Sequence, residues 1–220
     1  MGYLDDLREI QSKIKKGIQN EIIFDEIVRR CSLEHKTPVE RYKALTDVLA
    51  ARDAIHNEIK SAGLKEDVSL TGTITERICK IGLEAGAPDK HSKLPKDWKW
   101  VGDFMIIGKP YNIFVSVKSY SARERLIASG TGQQAAPVIG YGLFDKKSEW
   151  SIGRVRQYLQ RGFVAIYMPN KLLSKLSTES KNIKNAYNRP FLRDISAFSD
   201  DLIAGYNKGK DDKFLELDKF

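Results

Sequence analysis

The segment Phe163-Val164-Ala165-Ile166-Tyr167-Met168 restricts more than any other what this chain can fold into. It is an unbroken apolar run followed by Pro169, and such a run suits a strand buried on both faces. Strands covered on both sides belong to sheets whose crossover connections lay helices on the faces. The residues before it, Ser151 to Arg161, read as a helix with Gly162 at the C′ position. Earlier, Trp98 to Ile107 and Ile113 to Tyr120 are rich in aromatic and β-branched residues. They flank Gly108-Lys109-Pro110-Tyr111-Asn112, the composition of a β-hairpin. Pro110 cannot adopt positive φ, so the loop is expected to run to about three to five residues rather than a tight type I′ turn. Strand, helix and buried strand from Ile113 to Met168 then form a right-handed βαβ crossover. The expected fold class is α/β, a mixed β-sheet flanked by helices.

The rest of the chain reads mainly as helix. Leu4, Leu7, Ile10, Ile14 and Ile18 recur at three and four, the spacing of one helical face. Thr37-Pro38-Val39-Glu40 announces a second helix, expected to run past Ala50 toward Ile55, with a capping Thr, Pro at the first helical position and Glu at N3. Thr73-Ile74-Thr75-Glu76 and Ser121-Ala122-Arg123-Glu124 have the same form, and each predicts a helix beginning at its first residue. Beyond Pro169 the chain turns polar and helical. The whole is one domain: a helical region over 1–65, a core over 66–170 and a mainly helical region over 171–220.

Charge and rare residues narrow the chemistry. Lys and Arg number 37 against 29 Asp and Glu, a net +8 that favours a polyanionic partner. Cys31 and Cys79 lie far apart, which argues against a disulfide scaffold and fits a reducing cytoplasm. His35, His56 and His91 have no metal-ligand spacing, and ordinary surface or core positions are their expected fate. The first ten residues carry Asp5, Asp6 and Glu9 without an apolar run, and no later stretch approaches membrane-spanning length. Neither a targeting peptide nor a membrane partner is expected.

If the hairpin loop is centred between Pro110 and Tyr111, Asp103 falls directly opposite Lys118. Partners across two strands share a face, with Cβ atoms about 4.5 to 5.5 Å apart. Ser116 shares that face, while Val115 and Val117 point into the core. A carboxylate, an ammonium and a hydroxyl thus converge. Such a carboxylate can hold Mg²⁺ with phosphate oxygens and waters, and the ammonium can position an attacking water. The same pair is also an ordinary cross-strand ion pair, worth about a few tenths of a kcal/mol if exposed.

In these residues the chain resembles the PD-(D/E)xK nucleases, and among them the type II restriction endonucleases. Their signature sets an Asp on one hairpin strand and a (D/E)-x-K triplet on the next, after a helix that often contributes a Glu. Val101-Gly102-Asp103 matches the first element and Ser116-Val117-Lys118 the second, within a match of roughly Thr71 to Met168. Two residues depart from the pattern. Gly102 stands where the family has proline, and Ser116 occupies the acidic position. The S-x-K subgroup compensates with a Glu downstream of the lysine, but here that region reads Ser129-Gly130-Thr131-Gly132.

Glu76 is the best substitute. On a helical wheel Ile74, Ile78, Ile81 and Ala85 form the apolar stripe, and Arg77, Lys80 and Glu84 the charged sector. Glu76 belongs to neither and sits with Cys79 and Leu83. It is also N3 of its capping box, and satisfying a backbone N–H would be a sufficient role. The resemblance implies that Asp103, Glu76 and the Val117 carbonyl hold Mg²⁺, that Lys118 orients the water, and that Ser116 lines the site.

For the polyanion, the resemblance points to double-stranded DNA. Arg123-Glu124-Arg125 is similar to an R-(D/E)-R triplet with which some S-x-K enzymes read guanines and adjacent cytosines, arginine pairing bidentately with guanine. The alternative is that Glu124 only caps and the arginines meet phosphate or solvent. Gln133 and Gln134 are weaker candidates for adenine, and Arg154 and Arg156 are candidates for backbone contacts. A palindromic target implies a homodimer, with the N-terminal helices as its expected interface. Two rival readings share the fold: a structure-specific junction or repair nuclease, and a DNA-binding protein that has lost catalysis.

Overall fold

The computed structural model describes residues 24, 28–29, 36–46, 57–58, 60–61, 63, 70–118, 136–207 and 213–218, the side chains of 46, 70, 71 and 73 excepted. Helix α1 (Pro38–Thr46) starts where its capping box requires. Thr37 N–H donates to Glu40 Oε2 at 3.0 Å, Thr37 Oγ1 donates to the same oxygen at 2.7 Å, and Glu40 N–H reaches Thr37 Oγ1 at 3.3 Å. The side-chain bond from Thr37, followed by the backbone one, holds the Glu40 carboxyl below its ordinary range.

The second box behaves differently. Helix α2 (Leu70–Gly86) encloses Thr73, so Thr73-Ile74-Thr75-Glu76 does not begin a helix and Glu76 is not an N3 residue. Local capping chemistry was overridden by a helix that extends further toward the N-terminus. The expected apolar stripe is also rotated. Ile74, Thr75, Ile78, Cys79 and Leu83 are buried, whereas Ile81 and Ala85 are only partly covered. α2 packs against α1, the central strand carrying Lys118 and the long C-terminal helix, so more than one flank is enclosed.

Next come β1 (His91–Lys93), a single 3₁₀ turn (Lys96–Trp98), β2 (Phe104–Ile106), β3 (Gly108–Lys109) and β4 (Ile113–Lys118). The hairpin of β2 and β4 forms as expected, antiparallel, but β2 is much shorter than Trp98 to Ile107. Trp98 N–H bonds to Pro95 O and Val101 N–H to Trp98 O, turns that take residues 95–102 out of the sheet. Pairing ends at Ile106↔Ile113, so the connection spans 107–112, longer than anticipated, because Gly108 and Lys109 are drawn into a parallel ladder with β8 (Leu215–Glu216).

β5 (Val138–Gly142), α3 (Ile152–Gln160) and β6 (Phe163–Met168) complete the crossover, and α3 ends on Gly162 at φ 87°. The helix connects β5 to β6, not β4 to β6 as the sequence reading had it. β5 was missed because two of its five residues are glycine. Short helices α4 (Asn170–Leu173) and α5 (Thr178–Lys181) lead to β7 (Leu192–Asp194), then α6 (Phe198–Asn207). The main sheet has the order β1-β2-β4-β5-β6-β7, with β4 through β7 mutually parallel. It therefore continues past residue 170, into the region read as mainly helical.

β6 is buried on both faces, as its apolar run demands. Ala165 and Tyr167 enter a core with α1, α2 and α6, whereas Ile166 and Met168 enter a second core with Trp150, Val155 and Tyr158. Among the described residues no helix is long and apolar enough to cross a membrane. The first helix read from Leu4 to Ile18, the continuation beyond Thr46, and the box at Ser121 lie outside the described residues.

Candidate active site

Hairpin register decides where the carboxylate meets the lysine. Phe104 pairs with Val115, where the expected reading required Val117, and the ladder ends there: Asp103 N–H also bonds to Val115 O, at 2.8 Å, so Asp103 lies just past the paired residues and is not opposite Lys118. The expected register was off by two. Ser116 and Lys118 share a face of β4 by alternation, and Asp103 meets Lys118 through its carboxylate rather than as a register partner. The loop is centred between Lys109 and Pro110, one position earlier than assumed.

The Asp103 carboxylate is held from two directions. Val117 N–H donates to its Oδ2 at 2.7 Å, and Lys118 Nζ lies 3.8 Å from the same oxygen, an ion pair without a direct hydrogen bond. Both side chains are well enclosed, 13% exposed for Lys118 and 15% for Asp103. This is not the solvated surface pair of the alternative reading. Burial pushes the Asp103 carboxyl above its ordinary range despite Lys118 and the Val117 bond, the Glu76 charge adds to the rise, and Lys99 opposes it.

Two glycines make this geometry possible. A Cβ on Gly102 would stand 2.9 Å from the Val115 carbonyl oxygen, so the residue ahead of Asp103 has no room for the family's proline without backbone movement. A Cβ on Gly142 would collide with the Lys118 carbonyl oxygen and come 2.6 Å from the Phe144 ring. Lys118 and Gly142 are register partners at the carboxyl ends of β4 and β5, the end of an open α/β sheet where ligands characteristically bind.

Glu76 joins the group from α2. Its Oε1 is buried and takes no aligned hydrogen bond, with Lys93 Nζ at 2.5 Å as counter-ion. Cys79, one helical turn on, feels the negative charge of both Asp103 and Glu76, although burial is what chiefly pushes its thiol up. Glu84, by contrast, is solvated and pairs with Lys80 at 3.1 Å. Ser116, two residues before Lys118 on β4, is fully buried, so its hydroxyl meets protein rather than an open site.

Oxygen donors here suit a hard cation. No cluster of three or more metal-ligating side chains occurs among the described residues. Two carboxylates are nevertheless brought together, one raised by burial and by its neighbour's charge, the other with a buried oxygen lacking an aligned donor. Both conditions are relieved by a cation that keeps several of its own waters, as Mg²⁺ does.

Of the DNA candidates, Arg154 is partly buried and Arg156 exposed on α3. That helix follows the carboxyl end of β5, so its first turns lie toward the Lys118 end of the sheet. Arg123, Arg125, Gln133 and Gln134 lie outside the described residues. Sequence reasoning passed over Lys93, Lys99 and the two tryptophans around Lys99. The triplet Trp98-Lys99-Trp100, directly ahead of Val101-Gly102-Asp103, was the available signal.

An antiparallel hairpin feeding a parallel run, with helices on both faces, is a restriction-endonuclease-like fold. One solved structure similar to the chain is the complex of restriction endonuclease PspGI with substrate DNA. The likeness covers 90% of this chain and 96% of that one, with a TM-score of 0.54 and 17% identity. At that identity the likeness is one of fold. No protein-family model and no curated protein matches the chain.

Proposed function

We propose that this protein is a Mg²⁺-dependent type II restriction endonuclease that hydrolyses double-stranded DNA as a homodimer. The observation that carries the reading is the enclosed Asp103–Lys118 pair at the carboxyl end of β4, within a fold similar to that of a restriction endonuclease on DNA. Asp103, Glu76 and the Val117 carbonyl hold the metal. When bound, Mg²⁺ supplies Lewis-acid stabilisation of charge on the phosphoryl oxygens. Lys118, 3.8 Å from the Asp103 carboxylate, orients the attacking water and offsets charge on the phosphate. The Val117 N–H fixes the Asp103 rotamer, so the carboxylate is preorganised before substrate arrives. Arg123 and Arg125 read bases, Gln133 and Gln134 assist, and Arg154 and Arg156 contact the backbone. A two-fold target matches a two-fold protein.

Ser116 favours a second reading, a DNA-binding protein without catalysis, because a buried hydroxyl at the acidic position leaves one carboxylate fewer. Incubation with Mg²⁺ and either a phage genome or a branched substrate separates the possibilities. Discrete genome fragments are expected; cutting of branched substrate alone indicates a structure-specific nuclease, and binding without cutting the non-catalytic reading. Lys118→Ala should abolish cleavage while leaving DNA binding in Ca²⁺ intact. Glu76→Gln should severely reduce the Mg²⁺-dependent rate, and an effect on stability alone removes Glu76 from the metal site.

A further inference from the structure

Two of the chain's three tryptophans are exposed where one would expect burial. Trp150 is enclosed, but Trp98 is 52% and Trp100 60% exposed. Large apolar side chains exposed together mark an interaction surface more often than chance. These two stand within five positions of Asp103, and their backbone is fixed. Trp98 O accepts Val101 N–H at 2.8 Å, Leu94 N–H bonds to Asp103 O at 3.0 Å, and Asp103 N–H bonds to Val115 O at 2.8 Å. Val101, next in the chain after Trp100, is buried. The indoles are thus presented by the segment that leads into β2 and carries the candidate catalytic carboxylate just ahead of it.

The charge around the indoles is of one dominant sign. Lys96 and Lys99 are exposed beside Asp97, and Lys99 is close enough to Asp103 to pull its carboxyl downward. Apolar rings interleaved with ammonium groups complement a duplex backbone that offers deoxyribose faces and phosphates in alternation. A second copy of a chain with net charge +8 would meet repulsion there.

Resting on the nuclease reading, we propose that Trp98 and Trp100 are a DNA-contacting element flanking the cut phosphodiester: the indoles pack on deoxyribose faces of the strand being cleaved, and Lys96 and Lys99 hold its phosphates. The element positions the strand relative to Asp103 and Lys118 and takes no part in bond cleavage.

The test uses the full chain in Ca²⁺ with a fluorescently labelled duplex cut from a phage genome that the protein cleaves in Mg²⁺. Anisotropy of the label reports binding, and iodide quenching of indole emission reports access to Trp98 and Trp100, Trp150 being shielded throughout. Saturating DNA is expected to remove most iodide access. Trp98→Ala/Trp100→Ala should weaken binding at least about 10-fold, as truncating aromatic anchors at an interface does. Lys96→Ala/Lys99→Ala should flatten the salt dependence by about two counter-ions. DNA that binds by anisotropy but leaves iodide quenching unchanged overturns the proposal while the nuclease reading stands. Wild-type affinity and cutting in the double tryptophan variant do the same. Protection that grows with protein concentration in the absence of DNA assigns the surface to a second copy and overturns it also. Failure of the protein to bind or cut any duplex overturns both readings together.

Discussion

Replacing Asp103 by Ala and by Asn separates what its hydrogen bond does from what its charge does. Both variants remove the negative partner of Lys118 and the cost of keeping a carboxylate enclosed. Only Ala leaves the buried Val117 N–H without its 2.7 Å acceptor, because the Asn carbonyl oxygen can take the place of Oδ2. An orphaned buried donor costs about 1–3 kcal/mol. For a chain of this size about 1 kcal/mol moves the thermal midpoint by about 2–4 °C, so Asp103→Ala should melt about 4–8 °C below Asp103→Asn if the cost is about 2 kcal/mol.

The same pair of proteins tests the sign of the carboxyl's pKa shift. Burial raises the folded-state value above the ordinary 3.8, so the folded state holds this proton more tightly than the unfolded chain does. The contribution of Asp103 to stability is then full below about 3.8 and is lost as pH rises through the raised value. Relative to Asp103→Asn, the wild type should lose stability over that window. Urea denaturation across the window, without divalent ions, measures both effects. Equal midpoints for the Ala and Asn variants, or a wild type that gains on Asp103→Asn as pH rises, would refute the reasoning.

Two further perturbations reach the site's supports. Gly142→Ala drives a methyl against the Lys118 carbonyl and the Phe144 ring and should destabilise by about 1–3 kcal/mol, read from the denaturation midpoint; an unchanged midpoint means that β4 and β5 can separate freely. Asp201→Ala removes the carboxylate that Arg193 Nη1 contacts at 2.9 Å and Tyr167 O–H at 2.6 Å, leaving a guanidinium that is largely buried between β6, β7 and α6. A loss of about 3 kcal/mol is expected, and a loss below about 1 kcal/mol would show that water or the remaining partners replace it.

Local chemistry was legible wherever a short stretch settles its own structure. The Thr37 box capped a helix with all its expected bonds, Gly162 ended α3, and the apolar run became β6, because each depends on residues within a turn or on burial of both faces. Asp103 and Lys118 came within 3.8 Å although the register was wrong, because the Asp103 carboxylate reaches β4 from just beyond the paired residues. What failed was decided by distant partners. Thr73 carries a capping signature, yet packing on β4, α1 and α6 sustains helix across it.

By itself, then, the order of residues determined that a carboxylate and a lysine would meet at a hairpin in an α/β sheet, for hairpins and amphipathicity are properties of neighbouring residues. Only the tertiary structure decided that β5, with Gly140 and Gly142, would stand beside β4 rather than leave β6 there. It alone drew Glu76 toward Asp103 and left Trp98 and Trp100 facing outward beside them. The reason is physical: strand order, the depth at which a charge is enclosed and the exposure of a side chain depend on segments far apart in the chain, and no local pattern encodes which of them will meet.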